Sequence, residues 1–379
     1  MNRKSRNSSF ELMRIICMIM IVTWHVILHG NILDHTTGLT KNLFELVLIV
    51  LTVNVNCFAL VFGYYQHDKK FSKNKFLSLL FMGWFYKIFI MFIFSKLGLY
   101  SINSFDILSA LIPLKFSDYW FLTAYLGLYL LTPYVNILLA NLSQKQHKNF
   151  IILLFFMFSI ISTITNQNTF TNGGCTILNL FMLYVIGAYF NKYPFKSNYH
   201  FEKFDIRKIR IILGTVFIFS TIFLFLSYEY SKNLIDSNSI IFSQIGNYIN
   251  NSIYRFSNPF VIVQSVAFFL LFETFNFNNK YINYLSQYMF GIYLLHENRY
   301  FISFYYDSFG FFSKKYFGTK EIIFKVFISI IIIFISCLII EIIRKYILKK
   351  IREICKNMKK EKIHQDYKEC NYEKWIKKF

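Results

Sequence analysis

Apolar residues in this chain come in long blocks rather than short periodic segments. The blocks cover 11–29, 43–65, 76–97, 119–139, 150–165, 175–191, 208–228, 258–272, 281–298 and 321–346. A helix of about 20 apolar residues crosses the hydrocarbon of a bilayer. The pattern therefore predicts an all-α polytopic membrane protein with about ten transmembrane helices. The fifth, eighth and ninth blocks are short or punctuated, so their ends are loosely set. No self-similarity at periods of 20–50 residues is evident, unlike many transporters built from repeats.

The first block, SSFELMRIICMIMIVTWHVILHG, breaks its own apolar pattern with Glu11, Arg14, His25 and His29. Ionisable residues inside a spanning helix are costly and usually face a protein interior or a wet cavity. Arg14 and His25 lie eleven positions apart, so a helix holds them within about 20° of one face and about 16 Å apart along its axis. Glu11 and His29 extend the same stripe at spacings of three and four. The basic start, MNRKSRNSSF, resembles a signal-peptide n-region, but the block after it is long, carries charge and lacks a small-residue cleavage site. It is read as a retained first span.

Charge then sets an orientation. Only 16% of residues are charged, against about a quarter in soluble domains, although the formal net charge is +21. The basic residues sit in short loops and the C-terminal tail: Arg3, Lys4 and Arg6; Lys69, Lys70, Lys73 and Lys75; Lys145 and Lys148; Lys192 to Arg210; and Arg344 onward. With the N-terminus inside, this fits the positive-inside rule and places both termini in the cytosol. The loop over 300–320, with Lys314, Lys315 and Lys320, dissents. No loop is long enough for a basic soluble domain, so nucleic acid is not an expected partner. Residues 1–346 read as one membrane-embedded domain. Residues 347–379 read as a basic cytosolic tail against lipid headgroups. The six cysteines form neither a CxxC pair nor an exposed ladder, so no metal site and no disulfide framework is expected.

Two later blocks bring polar groups to a depth similar to that of His25. The fourth, entered from outside, offers Asp118, Tyr119, Trp120 and Tyr125; the ninth ends in His296 and Glu297. Each has a plainer reading: the aromatics as an interfacial belt, His296 and Glu297 as a wet helix end, His25 itself as a helix–helix contact. Lys87 is a mid-span charge, either part of a structural ion pair or functional. Asn54 and Asn56 read as helix–helix hydrogen bonds rather than site residues.

ELMRIICMIMIVTWH, YWFLTAYLGLYLLTPYVN and GIYLLHEN, in this order, resemble the membrane-bound acyltransferase family 3 over residues 8 to about 346. NCFALVFGYY is similar to that family's Ser-Gly-Tyr segment, with Phe62 in place of the serine. The resemblance implies transfer of an acyl group, commonly acetyl, from a coenzyme A thioester to a sugar hydroxyl, with no permanently bound cofactor. The short tail, in place of a fused hydrolase-like domain, favours a surface polysaccharide or lipid-linked precursor as acceptor. The wealth of Ile, Lys, Asn, Phe and Tyr looks like an AT-rich bacterial genome, so the bacterial plasma membrane is the expected location.

A sugar hydroxyl needs a base within hydrogen-bond reach, and His25 has a suitable pKa range. His25 is assigned as general base, with a transient acyl-imidazole as the variant. Arg14 is assigned to donor phosphate or charge. Glu11, Trp120, Tyr125, His296, Glu297 and Lys87 complete the candidate substrate site. The competing reading is a flippase or transporter of lipid-linked oligosaccharide, which predicts repeats and charges spread along a pathway. The embedded charges here read as few and concentrated in the first span.

Overall fold

A computed structural model describes residues 7–111, 119–165, 171–194, 205–305 and 318–376. Asp118 and the loop lysines Lys196, Lys203, Lys314 and Lys315 lie outside the described residues. The described chain is helical, without strands. In order it forms α1 (Ser9–His29), α2 (Gly38–Leu51), α3 (Val53–Gln66), α4 (Lys73–Lys96), α5 (Ser104–Leu111) and α6 (Trp120–Asn141). Then come α7 (Gln144–Phe155), a π-helical turn Phe156–Ile161, α8 (Ser162–Thr165), α9 (Ile177–Lys192), α10 (Ile206–Ile235) and α11 (Ile240–Ile253). The last are α12 (Pro259–Glu273), α13 (Lys280–Leu285), α14 (Met289–His296), α15 (Arg299–Ser303) and α16 (Thr319–Ile376).

Among the described residues, seven helical stretches are long and apolar enough to cross a membrane. They are α1, α2 with α3, α4, α6, Gln144–Thr165, α10 and Lys320–Ile354 of α16. Their outer faces leave apolar side chains exposed, such as Ile218, Phe219, Ile222 and Phe223 on α10 and Phe324, Phe327 and Ile331 on α16. Lipid, not water, suits such surfaces. The expected ten included α9 and α12, apolar helices of 16 and 15 residues. At 1.5 Å per residue these fall short of a hydrocarbon thickness of about 30 Å. The expected ninth span is broken into α13, a 3₁₀ turn at Ser286–Tyr288 and α14. The loop after α10 holds a helix the hydropathy pattern did not indicate, α11. α16 runs on through residue 346 into the basic tail.

α3 is the centre of the bundle, packed against α1, α9 and α12. Its crossing with α9 depends on two glycines facing opposite backbones. A Cβ on Gly63 would stand 2.1 Å from the carbonyl oxygen of Tyr184, and one on Gly187 2.1 Å from that of Leu60. Small residues allow this close approach, and dispersion between the two backbones then holds the pair.

One continuous apolar block, 43–65, proves to be two helices meeting at Thr52. The Thr52 hydroxyl donates to the carbonyls of Leu48 at 3.1 Å and Ile49 at 2.8 Å. Back-bonding of this kind bends a helix. Pro133, inside α6, lacks the N–H that would bond the Tyr129 carbonyl, and the Thr132 hydroxyl donates there instead, at 2.7 Å.

Buried charge is not confined to the first helix, contrary to the sequence reading. Glu45 is fully buried and takes Lys232 Nζ at 3.0 Å and Tyr228 OH at 3.2 Å. Asp106 pairs with Arg299, and Glu341 with Arg344 and Tyr86. The hydropathy pattern missed these because Glu45 and Asp106 find partners remote in sequence, and Glu341, one turn from Arg344, is buried against the remote Tyr86.

Candidate active site

α1 is fixed at its N-terminal end by the 277–283 segment. Ser8 N donates to the Phe277 carbonyl at 2.8 Å, Ser8 Oγ donates to Asn283 Oδ1 at 2.9 Å, and Asn279 N donates to Ser8 Oγ at 2.7 Å. This anchorage sets the register in which the ionisable stripe of α1 faces inward. Along that stripe lie two cavities. The larger, about 810 Å³, is bordered by Glu11, Arg14, Lys69, Lys75, Tyr125 and Gln287 among others. The smaller, about 170 Å³, is bordered by Trp24, His25, Asn54, Trp120, Tyr254, Tyr293 and Glu297 among others.

Four helices run along both. α1 gives Arg14 to the large cavity and His25 to the small one; α3, α6 and α14 do the same with Tyr65 and Asn54, Tyr125 and Trp120, Met289 and Glu297. Phe58, Phe121 and Phe290 line both cavities and form an aromatic collar between them.

The large cavity is basic. Arg14 Nη1 donates to both oxygens of Glu11, at 3.2 and 3.0 Å, and its guanidinium lies 5.9 Å from the Tyr65 ring centre. Lys75 Nζ sits 4.9 Å above the Tyr129 ring and 3.4 Å from Gln66 Oε1. Such a set of fixed cations suits a phosphorylated ligand.

The small cavity ends in a histidine pair. His25 Nδ1 lies 3.0 Å from His296 Nε2, and His296 Nδ1 lies 2.7 Å from the Ile292 carbonyl oxygen. A carbonyl only accepts, so His296 carries its proton on Nδ1 and its Nε2 accepts. His25 must then donate from Nδ1, which leaves its Nε2 as a lone pair. This tautomer follows from the hydrogen-bond network. Glu297 Oε1 stands 2.8 Å from His25 Nδ1 but off its hydrogen-bond direction, and 3.6 Å from His29 Nε2. A carboxylate beside an imidazole stabilises positive charge that develops on the ring during proton transfer.

Glu297 is itself held. Asn298, next to it, donates from Nδ2 to Tyr119 OH at 3.0 Å, and Tyr119 OH donates to the Leu294 carbonyl at 2.9 Å. Tyr119 is therefore a strut between α6 and α14 rather than an interfacial aromatic. Donor atoms of His25, His29 and Glu297 also lie within 4.8 Å of one another, a set able to hold a metal ion.

Of the residues expected from sequence, Arg14 and Glu11 meet in the large cavity, and His25, Trp120 and Glu297 meet in the small one beside His296. Tyr125, grouped with Trp120 by sequence, borders the large cavity with Phe62 4.4 Å away between ring centres. Lys87 is buried within α4 and borders neither. Asn56 is the helix–helix contact expected: its Nδ2 donates to the Phe256 carbonyl at 2.9 Å and to Ser265 Oγ at 3.1 Å. Asn54 instead faces the small cavity. Sequence reading also missed Lys69 and Lys75, which it took for loop charge, and the collar phenylalanines, which nothing in an aromatic-rich chain marks out.

A family model described as an acyltransferase domain matches residues 7–341, nearly the whole chain. No curated protein and no solved structure matches the chain. The family match spans every helix that borders the two cavities, and on it the chain belongs to acyltransferase family 3, as a membrane acyltransferase of groups other than amino-acyl.

Proposed function

We propose that this enzyme is an O-acyltransferase of the bacterial plasma membrane. It moves an acyl group, acetyl, from acyl-CoA to a hydroxyl of a cell-surface polysaccharide or its lipid-linked precursor. The observation that carries the reading is the pairing of a basic cavity at Arg14 with an aromatic cavity at His25, the two sharing one collar.

In this reading both termini lie in the cytosol and the large cavity opens toward it, where acyl-CoA resides. Support comes from the end of the bundle at which Ser8, Lys69, Lys75 and Lys345 gather, Lys345 donating to the Gln287 carbonyl at 2.5 Å. Arg14, Lys69 and Lys75 hold donor phosphates, with Glu11 fixing the guanidinium. The pantetheine arm extends about 16 Å along α1, past the collar, to bring the thioester to His25. Trp24, Trp120 and Tyr254 wall the acceptor's place and suit the face of a sugar ring.

His25 Nε2 takes the proton of the acceptor hydroxyl as its oxygen bonds to the thioester carbonyl carbon. The tetrahedral intermediate collapses with cleavage of the C–S bond. The departing thiolate takes the proton from the imidazolium, leaving an ester and free coenzyme A. His296 keeps the imidazole in the tautomer that makes Nε2 the base, and Glu297 supplies negative charge beside it.

The test compares O-acetyl content of surface polysaccharide in cells carrying the wild-type chain and His25→Ala at equal membrane expression. Loss of ester with polymer still exported is the expected result. Failure of export with unchanged ester content in the remaining polymer overturns acyl transfer in favour of a flippase.

A further inference from the structure

Asn54 is only 2% exposed, borders the small cavity, and has a carboxamide oxygen without a hydrogen-bond partner among the described residues. Its neighbour Asn56, two positions on, has both ends of its carboxamide engaged: Nδ2 with Phe256 and Ser265, and Oδ1 accepting from Asn179 Nδ2 at 3.4 Å. A buried amide oxygen left unbonded is expensive, and native interiors rarely keep one without a use. Two positions along a helix lie about 200° apart, so with Asn54 at the cavity of His25 and Glu297, Asn56 faces the α3–α12 contact.

Resting on the acyl-transfer reading above, we propose that Asn54 is a further catalytic residue: its carboxamide N–H₂ donates to the thioester carbonyl oxygen as that oxygen becomes an oxyanion. The reaction needs such a donor. Attack by the acceptor oxygen pushes the carbonyl electron pair onto oxygen, in a cavity walled largely by apolar and aromatic groups. Glu297, on the same cavity, carries the wrong charge for this task, and His25 is occupied with the hydroxyl proton; the hydroxyls of Tyr254 and Tyr293 are the competing donors that the Asn54 variants test against. A neutral amide on a separate helix supplies a donor without adding charge to the cavity. Oxygen and nitrogen of a carboxamide exchange places by rotation of the side chain, and no hydrogen bond to the Asn54 oxygen opposes that rotation.

The experiment uses membranes from cells expressing the full chain, with their own glycan as acceptor and acetyl-CoA as the varied substrate. Wild type, Asn54→Ala, Asn54→Asp and His25→Ala are compared for release of coenzyme A thiol and for acetyl incorporation. A positioned oxyanion donor is worth about 10²–10³ in kcat. Both Asn54 variants should lose that factor in maximal rate while KM for acetyl-CoA stays within about threefold of wild type. Size-exclusion profiles of the solubilised protein should match wild type. Full turnover in both Asn54 variants with His25→Ala inactive overturns the role of Asn54 and leaves the acyltransferase reading standing. A rise in KM with unchanged maximal rate, or a fall explained by lost folded protein, overturns it too. No acetyl transfer by the wild type overturns the parent reading instead.

Discussion

His296 offers Nε2 to His25 Nδ1 at 3.0 Å while its own Nδ1 is committed to the Ile292 carbonyl at 2.7 Å. A backbone oxygen of α14 thus decides which nitrogen of a side chain on α1 is free for chemistry. The two histidines are 271 residues apart. Glu297, one residue on, supplies the charge that rewards protonation of His25.

Replacing Glu297 with Gln keeps shape and removes that charge. The maximal rate of acetyl transfer should fall about 10²–10⁴-fold, in the range seen when a base loses its carboxylate partner. His296→Asn, which acts only through His25, should cost about 10–100-fold. Rates at saturating acetyl-CoA in matched membranes check both. If His296→Asn proves the more damaging, Glu297 is not the main support of the imidazolium.

Arg14 should act on donor binding rather than on the chemical step. Losing a charge-assisted hydrogen bond costs about 1.5–3 kcal/mol, so Arg14→Ala should raise KM for acetyl-CoA about 10–100-fold with a smaller change in maximal rate. Arg14→Lys keeps the charge but not the guanidinium geometry that engages Glu11, and should recover only part of the loss. Titration of acetyl-CoA separates the two quantities. A purely kcat effect would place Arg14 in the reaction itself.

The collar lies between the basic cavity and His25. Phe58→Ala should let water reach the thioester beside His25, so that coenzyme A is released without acetyl appearing on glycan. The ratio of thiol released to acetyl transferred is the measurement. It should sit near one in wild type and rise several-fold in the variant. A ratio that stays at one while both rates fall together would mean the ring merely packs.

Gly63 and Gly187 leave no room for a side chain, since each would-be Cβ meets a carbonyl oxygen at 2.1 Å. Gly63→Val and Gly187→Val should therefore force α3 and α9 apart, with loss of monodisperse protein in detergent and of activity together. Gly214, on α10, has open space around it, and Gly214→Ala should be neutral or stabilising by up to about 1 kcal/mol. Thermal stability of the solubilised protein, followed by size-exclusion chromatography, distinguishes these cases.

The sequence by itself determined that the chain is helical and suited to a membrane, because long apolar blocks admit few other solutions in lipid. It also determined the stripe on α1: Glu11, Arg14, His25 and His29 share a face by helical geometry alone, and the stripe borders the site. Tertiary structure alone decided which remote residues complete it. Helical geometry puts Asn54 and Asn56 on opposite faces of α3, but only the packing of α3 decides that Asn54 borders the cavity and Asn56 meets Ser265. Lys87, which reads as either a structural ion pair or a site charge, borders neither cavity, while Lys75 reads as loop charge and borders the large cavity. Helical periodicity fixes relations within about one element. Which faces of α1, α3, α6 and α14 meet depends on packing, above all on the glycine-to-backbone contact of α3 with α9, and no single block encodes it.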